Sequence, residues 1–274
     1  MNIFEILKSV LLGIVEGITE WLPISSTGHM IFVNELMNNT GFTDSDLYIY
    51  VIQLGAILAI VTLYFSKLNP FSFKKTKEER VKTWQLWFKI LIACIPAAVV
   101  GLLLDDYMEN LENWKVVSAM LIVYGIAFIV VEKLKKKTTV TSFDNFTYKT
   151  AILIGAFQML SVIPGTSRSG ATILGAIILG CSREIAAEFS FFLAVPVMIG
   201  VSFIKLIKND TPLTTENAVI LLIGMAVAYL VSLFVIKALM EYIKKHDFTA
   251  FGWYRIALGI LMILFFTLRL YVFA

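Results

Sequence analysis

Six stretches of this chain stay apolar for about the thickness of a bilayer, and that constrains its fold more than any other feature. They run 48–65, 88–104, 116–131, 189–204, 218–236 and 251–273. A helix needs about 20 predominantly apolar residues to cross the hydrocarbon core. The composition agrees: 58% of the 274 residues are hydrophobic, 16% are charged, and the mean hydropathy is +0.82. Soluble domains average roughly 45–50% apolar and 25% charged. The chain therefore reads as an all-α polytopic membrane protein.

The net charge of +3 is less informative than where the cations lie. One segment carries Lys67, Lys74, Lys75, Lys77, Arg80, Lys82 and Lys89, and a second carries Lys133, Lys135, Lys136, Lys137 and Lys149. A smaller group is Lys237, Lys244 and Lys245. The positive-inside rule places all three in the cytoplasm. Between the first two lies an acidic turn, Asp105, Asp106, Glu109 and Glu112, which suits the outside. The spans then run inward along 48–66, outward along 89–104, inward along 114–131, outward along 189–206, inward along 218–236 and outward along 251–273. No basic array of the kind nucleic-acid binding needs is present. Cys94 and Cys181 stand in unrelated contexts and read as small core residues. The N-terminus has no basic leader and carries Glu16 within its apolar stretch, so no cleaved signal peptide is expected.

Segments 1–40 and 150–186 resist being spans, because each has an apolar approach broken by proline, serine, glycine and charge. By the loop assignments, each leaves and returns on one side of the membrane. The spacing predicts two re-entrant helix–loop–helix elements, whose broken backbone survives at depth only when buried in protein or lining a wet cavity. The two segments also align at an offset of 141 residues, Pro23-Ile24-Ser25-Ser26 falling on Pro164-Gly165-Thr166-Ser167. The expected architecture is a single membrane domain with an inverted repeat, about 1–140 and 150–274, and a site where the broken elements meet.

The first broken segment reads Glu16-Gly-Ile-Thr-Glu20-Trp-Leu-Pro-Ile-Ser25-Ser26-Thr27-Gly28-His29. Glu16 and Glu20 share a helix face, and two carboxylates at membrane depth cost roughly 2.5–3.5 kcal/mol each on insertion scales. A cation, an arginine or a shared proton must offset that cost. Gly13 and Gly17 provide a face on which a second helix can approach closely. His29, beside Ser26, is a candidate for proton transfer; the chain's other histidine, His246, falls in a polar loop. One of Ser25, Ser26 and Thr27 suffices to cap the returning helix, leaving hydroxyls for nucleophilic work. The second segment, Pro164-Gly165-Thr166-Ser167-Arg168-Ser169-Gly170-Ala171-Thr172, is a tight turn opening a helix. It offers converging N–H donors for an anion, with Arg168 adding a bidentate contact to phosphate oxygens. Gln158, Ser161, Ser182 and Arg183 read as packing or capping residues, Ser182 starting the next helix.

These two motifs, with Gln53-Leu-Gly-Ala-Ile and Phe189-Ser-Phe-Phe-Leu-Ala-Val-Pro, resemble the undecaprenyl-diphosphate phosphatase family linked to bacitracin resistance, and the likeness covers the whole chain. The resemblance implies dephosphorylation of undecaprenyl diphosphate to the monophosphate, which recycles the carrier for peptidoglycan synthesis. It further implies dependence on Mg²⁺ or Ca²⁺, a bacterial plasma-membrane location and a site open to the outer face. Carried over, the essential residues are Glu16, Glu20, Ser26, His29 and Arg168, with Ser167 and Thr172 lining the phosphate site; the residues themselves add Gly165 and Thr166 of the turn at the phosphate, and Glu16 and Glu20 to hold a divalent cation or act as base. Ser26 as nucleophile, with Glu20 or His29 taking its proton, is one mechanism; His29 as nucleophile is the other. A lipid-phosphate transporter is the rival from another class, since broken helices and inverted repeats are transporter features. The serine and histidine beside the acids favour an enzyme.

Overall fold

The computed structural model describes residues 3–37, 41–109, 111, 113–208 and 213–272. They form α1 (Ile3–Thr19), α2 (Ser26–Leu36), α3 (Asp46–Leu63), α4 (Phe65–Leu68), α5 (Lys77–Glu109), α6 (Trp114–Lys133), α7 (Tyr148–Met159), α8 (Arg168–Ile178), α9 (Arg183–Ile207), α10 (Thr215–Ile243) and α11 (Thr249–Val272). Single 3₁₀ turns, Phe42–Asp44 and Leu160–Val162, complete the pattern. Six helices are long and apolar enough to cross a membrane: α3, α5, α6, α9, α10 and α11. Four of them start where a polar side chain takes an orphaned N–H: Ser45, Asn113, Ser182 and Thr214 cap α3, α6, α9 and α10. Ser182 thus starts α9 as its sequence implies.

Two boundaries differ from the apolar pattern. The Lys-rich segment from Lys77 to Lys89, expected as loop, is the first third of α5. Its Glu78 and Glu79 sit in the first helical turn, where carboxylates favour the positive end of the dipole. Helix α9 likewise begins at Arg183, before its apolar run. Of the acidic turn, the backbone of 105–109 continues α5, while those side chains and Glu112 lie outside the described residues.

Apart from the single turn of α4, the remaining helices form two broken pairs, α1–α2 and α7–α8. Helices of 11 or 12 residues, such as α2, α7 and α8, reach roughly 16–18 Å, about half the hydrocarbon thickness. Each pair turns through a serine in the left-handed region that caps the second helix. Ser25 (φ 74°) accepts from the Gly28 N–H and Ser167 (φ 73°) from the Gly170 N–H. Serine rarely adopts this backbone, so both turns store strain, which tends to collect at functional sites. The caps correspond at an offset of 142 residues (25 to 167), one more than the sequence alignment gives. At 142, Gly13 falls on Gly155, Glu16 on Gln158 and Gly28 on Gly170.

Close backbone approach at glycine holds the pairs to the spans. A Cβ on Gly13 or Gly17 would lie 2.7 and 2.8 Å from the Gly224 and Ala228 carbonyls of α10, the approach their spacing implies. Gly155 of α7 meets the Ala93 carbonyl of α5 in the same way, Gly55 of α3 that of Met225, and Gly125 of α6 that of Gly252 on α11. In lipid, where apolar contact alone drives little association, such packing carries the helix–helix energy. The centre is filled by fully buried Trp21, Phe128, Phe146, Phe189, Phe191, Phe192 and Phe248.

Gly55→Ala, whose methyl would start 2.2 Å from the Met225 carbonyl, is expected to destabilise the protein by about 1–3 kcal/mol. Gly200→Ala, where the added carbon meets nothing within 4 Å, is expected to unfold at or above the wild-type temperature. Thermal unfolding in detergent, followed by tryptophan fluorescence, compares the two; equal midpoints would refute the packing account.

Candidate active site

The two turns meet at Glu20, buried at the end of α1. Its Oε2 accepts from Ser26 Oγ at 2.7 Å, and its Oε1 accepts from Arg168 Nη2 at 2.9 Å. One carboxylate therefore holds the first side chain of α2 and the first side chain of α8, from opposite halves of the chain. The arginine offsets the charge of Glu20, as two acids at this depth require. Ser169 tightens the junction by reaching the carbonyls of Glu20 and Leu22, at 3.2 and 3.3 Å. Arg168 is further held by Nη1 donating to the Ser190 carbonyl at 2.6 Å, and Thr172 Oγ1 supports Ser190 Oγ at 2.7 Å. The fully buried Thr172 thus stands behind Arg168 and steadies it. The buried Nε of Arg168 has no hydrogen-bond partner.

Glu16 lies one turn before Glu20, and only 1% of it is exposed. Its Oε1 is buried without a partner. A carboxylate oxygen in that state needs a cation or a proton. That oxygen alone is available to a cation, since both oxygens of Glu20 already serve Ser26 and Arg168, and among the described residues no cluster of three or more His, Cys, Asp or Glu side chains surrounds it. Gln158, which takes the place of Glu16 at the 142-residue offset, is also buried with neither amide atom hydrogen-bonded, so it is not explained by capping. Ser161 does act as a local cap, donating to the Gln158 carbonyl, and Arg183 is paired with Glu132.

His29 is half-buried on α2, and its ring is engaged by Ser25 and Tyr254. Nδ1 lies 2.7 Å from the Ser25 carbonyl and Nε2 lies 2.7 Å from the Tyr254 hydroxyl. A carbonyl only accepts, so Nδ1 carries the proton, and in the neutral ring Nε2 is the bare nitrogen. Of the open alternatives for Ser26, the geometry places Glu20, not His29, against its hydroxyl. His246 lies after α10, stacked on Tyr242.

The residue that sequence reading missed is Arg255. It sits in the last apolar run, is fully buried, and turns its guanidinium to five backbone carbonyls. Nη1 reaches Pro23 (3.1 Å), Nη2 reaches Gly165 and Thr166 (2.9 Å each) and Met120 (3.4 Å), and Nε reaches Leu121 (3.4 Å). Gly165 and Thr166, whose N–H groups were expected at phosphate, lend their carbonyls to this arginine, and the Thr166 N–H donates to the Ile163 carbonyl. Gly165 (φ 88°) is obligatory because a Cβ would fall 2.6 Å from Val117. The signal was present: an arginine inside an otherwise apolar span is expected to serve a buried polar site.

Comparison with known proteins now bears on this geometry. The family model described as bacitracin resistance protein BacA matches residues 9–261, which include both turns, Glu20 and Arg255. The chain belongs to the BacA family. It is 54% identical to an undecaprenyl-diphosphatase of Enterococcus faecalis, over 96% of this chain and 98% of that protein. It is 57% identical to one from Streptococcus thermophilus, over 98% and 96%. A third, from Desulfitobacterium hafniense, is 54% identical over 98% and 99%. A BacA-family chain with six apolar helices is a multi-pass membrane protein.

Replacing Arg255 by Met would strand the carbonyls of both turns in a dry interior, where each unmet polar group costs about 1–3 kcal/mol. We expect Arg255→Met to lose its folded form in detergent. Arg255→Lys, with three donors on one atom, should recover it only in part. Size-exclusion profiles and thermal midpoints decide; a wild-type midpoint for Arg255→Met would remove the clamp from the account.

Proposed function

We propose that this protein hydrolyses undecaprenyl diphosphate to undecaprenyl phosphate and inorganic phosphate, recycling the lipid carrier of peptidoglycan synthesis and so conferring bacitracin resistance. The observation that carries the reading is Glu20 bridging Ser26 and Arg168: a base on a hydroxyl and a phosphate-binding group on the same carboxylate. The names and identities of the relatives supply the substrate.

In this mechanism Ser26 Oγ attacks the terminal phosphorus as Glu20 Oε2 takes its proton. The bond to the bridging oxygen breaks, and undecaprenyl phosphate leaves with the proton that Glu20 gives up. Water then attacks the phosphoserine as Glu20 accepts its proton, and Glu20 returns that proton to Ser26 Oγ as the P–O bond breaks and inorganic phosphate is released. Arg168 stabilises the charge on the phosphoryl oxygens, with Thr172 and Ser190 keeping it in place. Ser167 shapes the turn that presents Arg168, and Gly165 and Thr166 hold that turn to Arg255. Glu16 is the residue to hold Mg²⁺ or Ca²⁺, with Glu20 beside it. When bound, the cation would draw negative charge from the phosphate oxygens. One observation favours a second reading: the bare Nε2 of His29 could attack phosphorus in place of Ser26.

The fold we infer is one membrane domain of two inverted halves, about 1–140 and 150–274, with α1–α2 and α7–α8 as re-entrant pairs. Supporting it are the matched serine caps and the exchange of partners, α1 packing on α10 and α7 on α5. The location we infer is the bacterial plasma membrane, with the site open to the outer face. Lys-rich segments 133–137 and 244–245 mark the cytoplasmic ends of α6 and α10. Helix α2 runs from Ser26 toward Glu35, which pairs with Arg269 at the far end of α11.

Phosphate release from detergent-dispersed undecaprenyl diphosphate tests the proposal. Ser26→Ala, Glu20→Gln and Arg168→Ala are each expected to lose about 10²-fold or more in turnover, and EDTA to abolish it until Mg²⁺ or Ca²⁺ is restored. Substantial release by folded Ser26→Ala, or a trapped phosphate label on His29, would replace Ser26 with His29 as nucleophile. No release by the wild type under any metal would reject the hydrolase.

A further inference from the structure

We propose that Tyr254 is a positioning residue of the hydrolytic site: its hydroxyl fixes the heading of the His29 ring, whose tautomer the Ser25 carbonyl sets. The proposal rests on the second reading above, in which the bare Nε2 of His29 takes part in the reaction. Both ring nitrogens of His29 are engaged, Nδ1 with the Ser25 carbonyl and Nε2 with the Tyr254 hydroxyl, each at 2.7 Å. The two rings lie 5.6 Å apart and within 6° of parallel. With Nδ1 committed as a donor, Nε2 is the only nitrogen able to accept or release a proton, and Tyr254 decides where it points.

Tyr254 is suited to this because its neighbour is the clamp. Arg255 ties α11 to Pro23, two residues before the cap that orients His29, and to Gly165 and Thr166 in the other turn. The hydroxyl is therefore held at fixed depth relative to α2. Further along, Phe32 packs edge-on against Phe265 at 5.2 Å and Glu35 pairs with Arg269, so α2 and α11 are joined by side chains along one seam. Tyr254 is 46% exposed, and its replacement leaves the buried clamp in place.

A double-substitution cycle separates positioning from mere support of the seam, using Tyr254→Phe, His29→Ala and both together. Loss of one hydrogen bond predicts a fall in kcat of about threefold to tenfold in Tyr254→Phe, with KM changed by less than about twofold. The double variant should be no slower than His29→Ala, because Tyr254 acts through that ring. Labelling with diethyl pyrocarbonate gives a readout independent of turnover. Freed of the hydroxyl, His29 in Tyr254→Phe should be carbethoxylated about threefold to tenfold faster, with His246, the only other histidine, as internal reference. Unchanged kcat in Tyr254→Phe, or losses that add in the double variant, would overturn the proposal. Wild-type turnover by His29→Ala would instead overturn the role given to His29, and the labelling rates would still decide whether the hydroxyl covers Nε2.

Discussion

A single guanidinium sets the geometry on which the site depends. Breaking two helices at membrane depth strands backbone carbonyls that water cannot reach, and a bilayer offers no other solvent for them. Arg255 gathers three of these oxygens from the two turns and ties them to two carbonyls of α6. Its planar fork suits the task, since a lysine's donors radiate from one point. The Tyr124 ring, 5.5 Å from the guanidinium carbon, covers one face of the cation. Pro23 lies three residues before Ser26, and Gly165 three before Arg168, so one side chain fixes how far apart the two reactive groups stand. Its partners are carbonyl dipoles, and its charge remains part of the field at a site built for a diphosphate.

How much of this could be read in advance follows from what each signal requires. Spans are legible because run length is a local property, and all six apolar stretches became helices. Helix starts were less legible, since charged residues such as Lys77 to Lys89 extend a helix beyond its apolar part. The Gly13 and Gly17 face was legible because close approach needs only small residues at a helical spacing. The two strained serines stand 142 residues apart, one more than the alignment of Pro23 with Pro164 gives. Backbone conformation leaves no mark in a serine's identity. Arg255 and Tyr254 escaped because their partners lie more than 80 residues away, and periodicity carries no record of such pairings.

The two turns share a backbone but divide the chemistry. At the 142-residue offset, Ser26 and Arg168 occupy the same position, the first residue of a helix after a strained serine cap. Both side chains converge on Glu20, whose counterpart at that offset is Val162. One carboxylate thus serves two equivalent positions, one supplying a hydroxyl to be deprotonated and the other a cation for phosphate. This asymmetry is what the proposed reaction needs, because an attacking group and a charge-stabilising group must approach one phosphorus from different directions. It also explains why His29 can be held elsewhere: with Glu20 against the Ser26 hydroxyl, Nε2 is left for a proton at another atom of the substrate. The orphaned oxygen of Glu16, one helical turn behind Glu20, then marks where a positive charge would complete the balance.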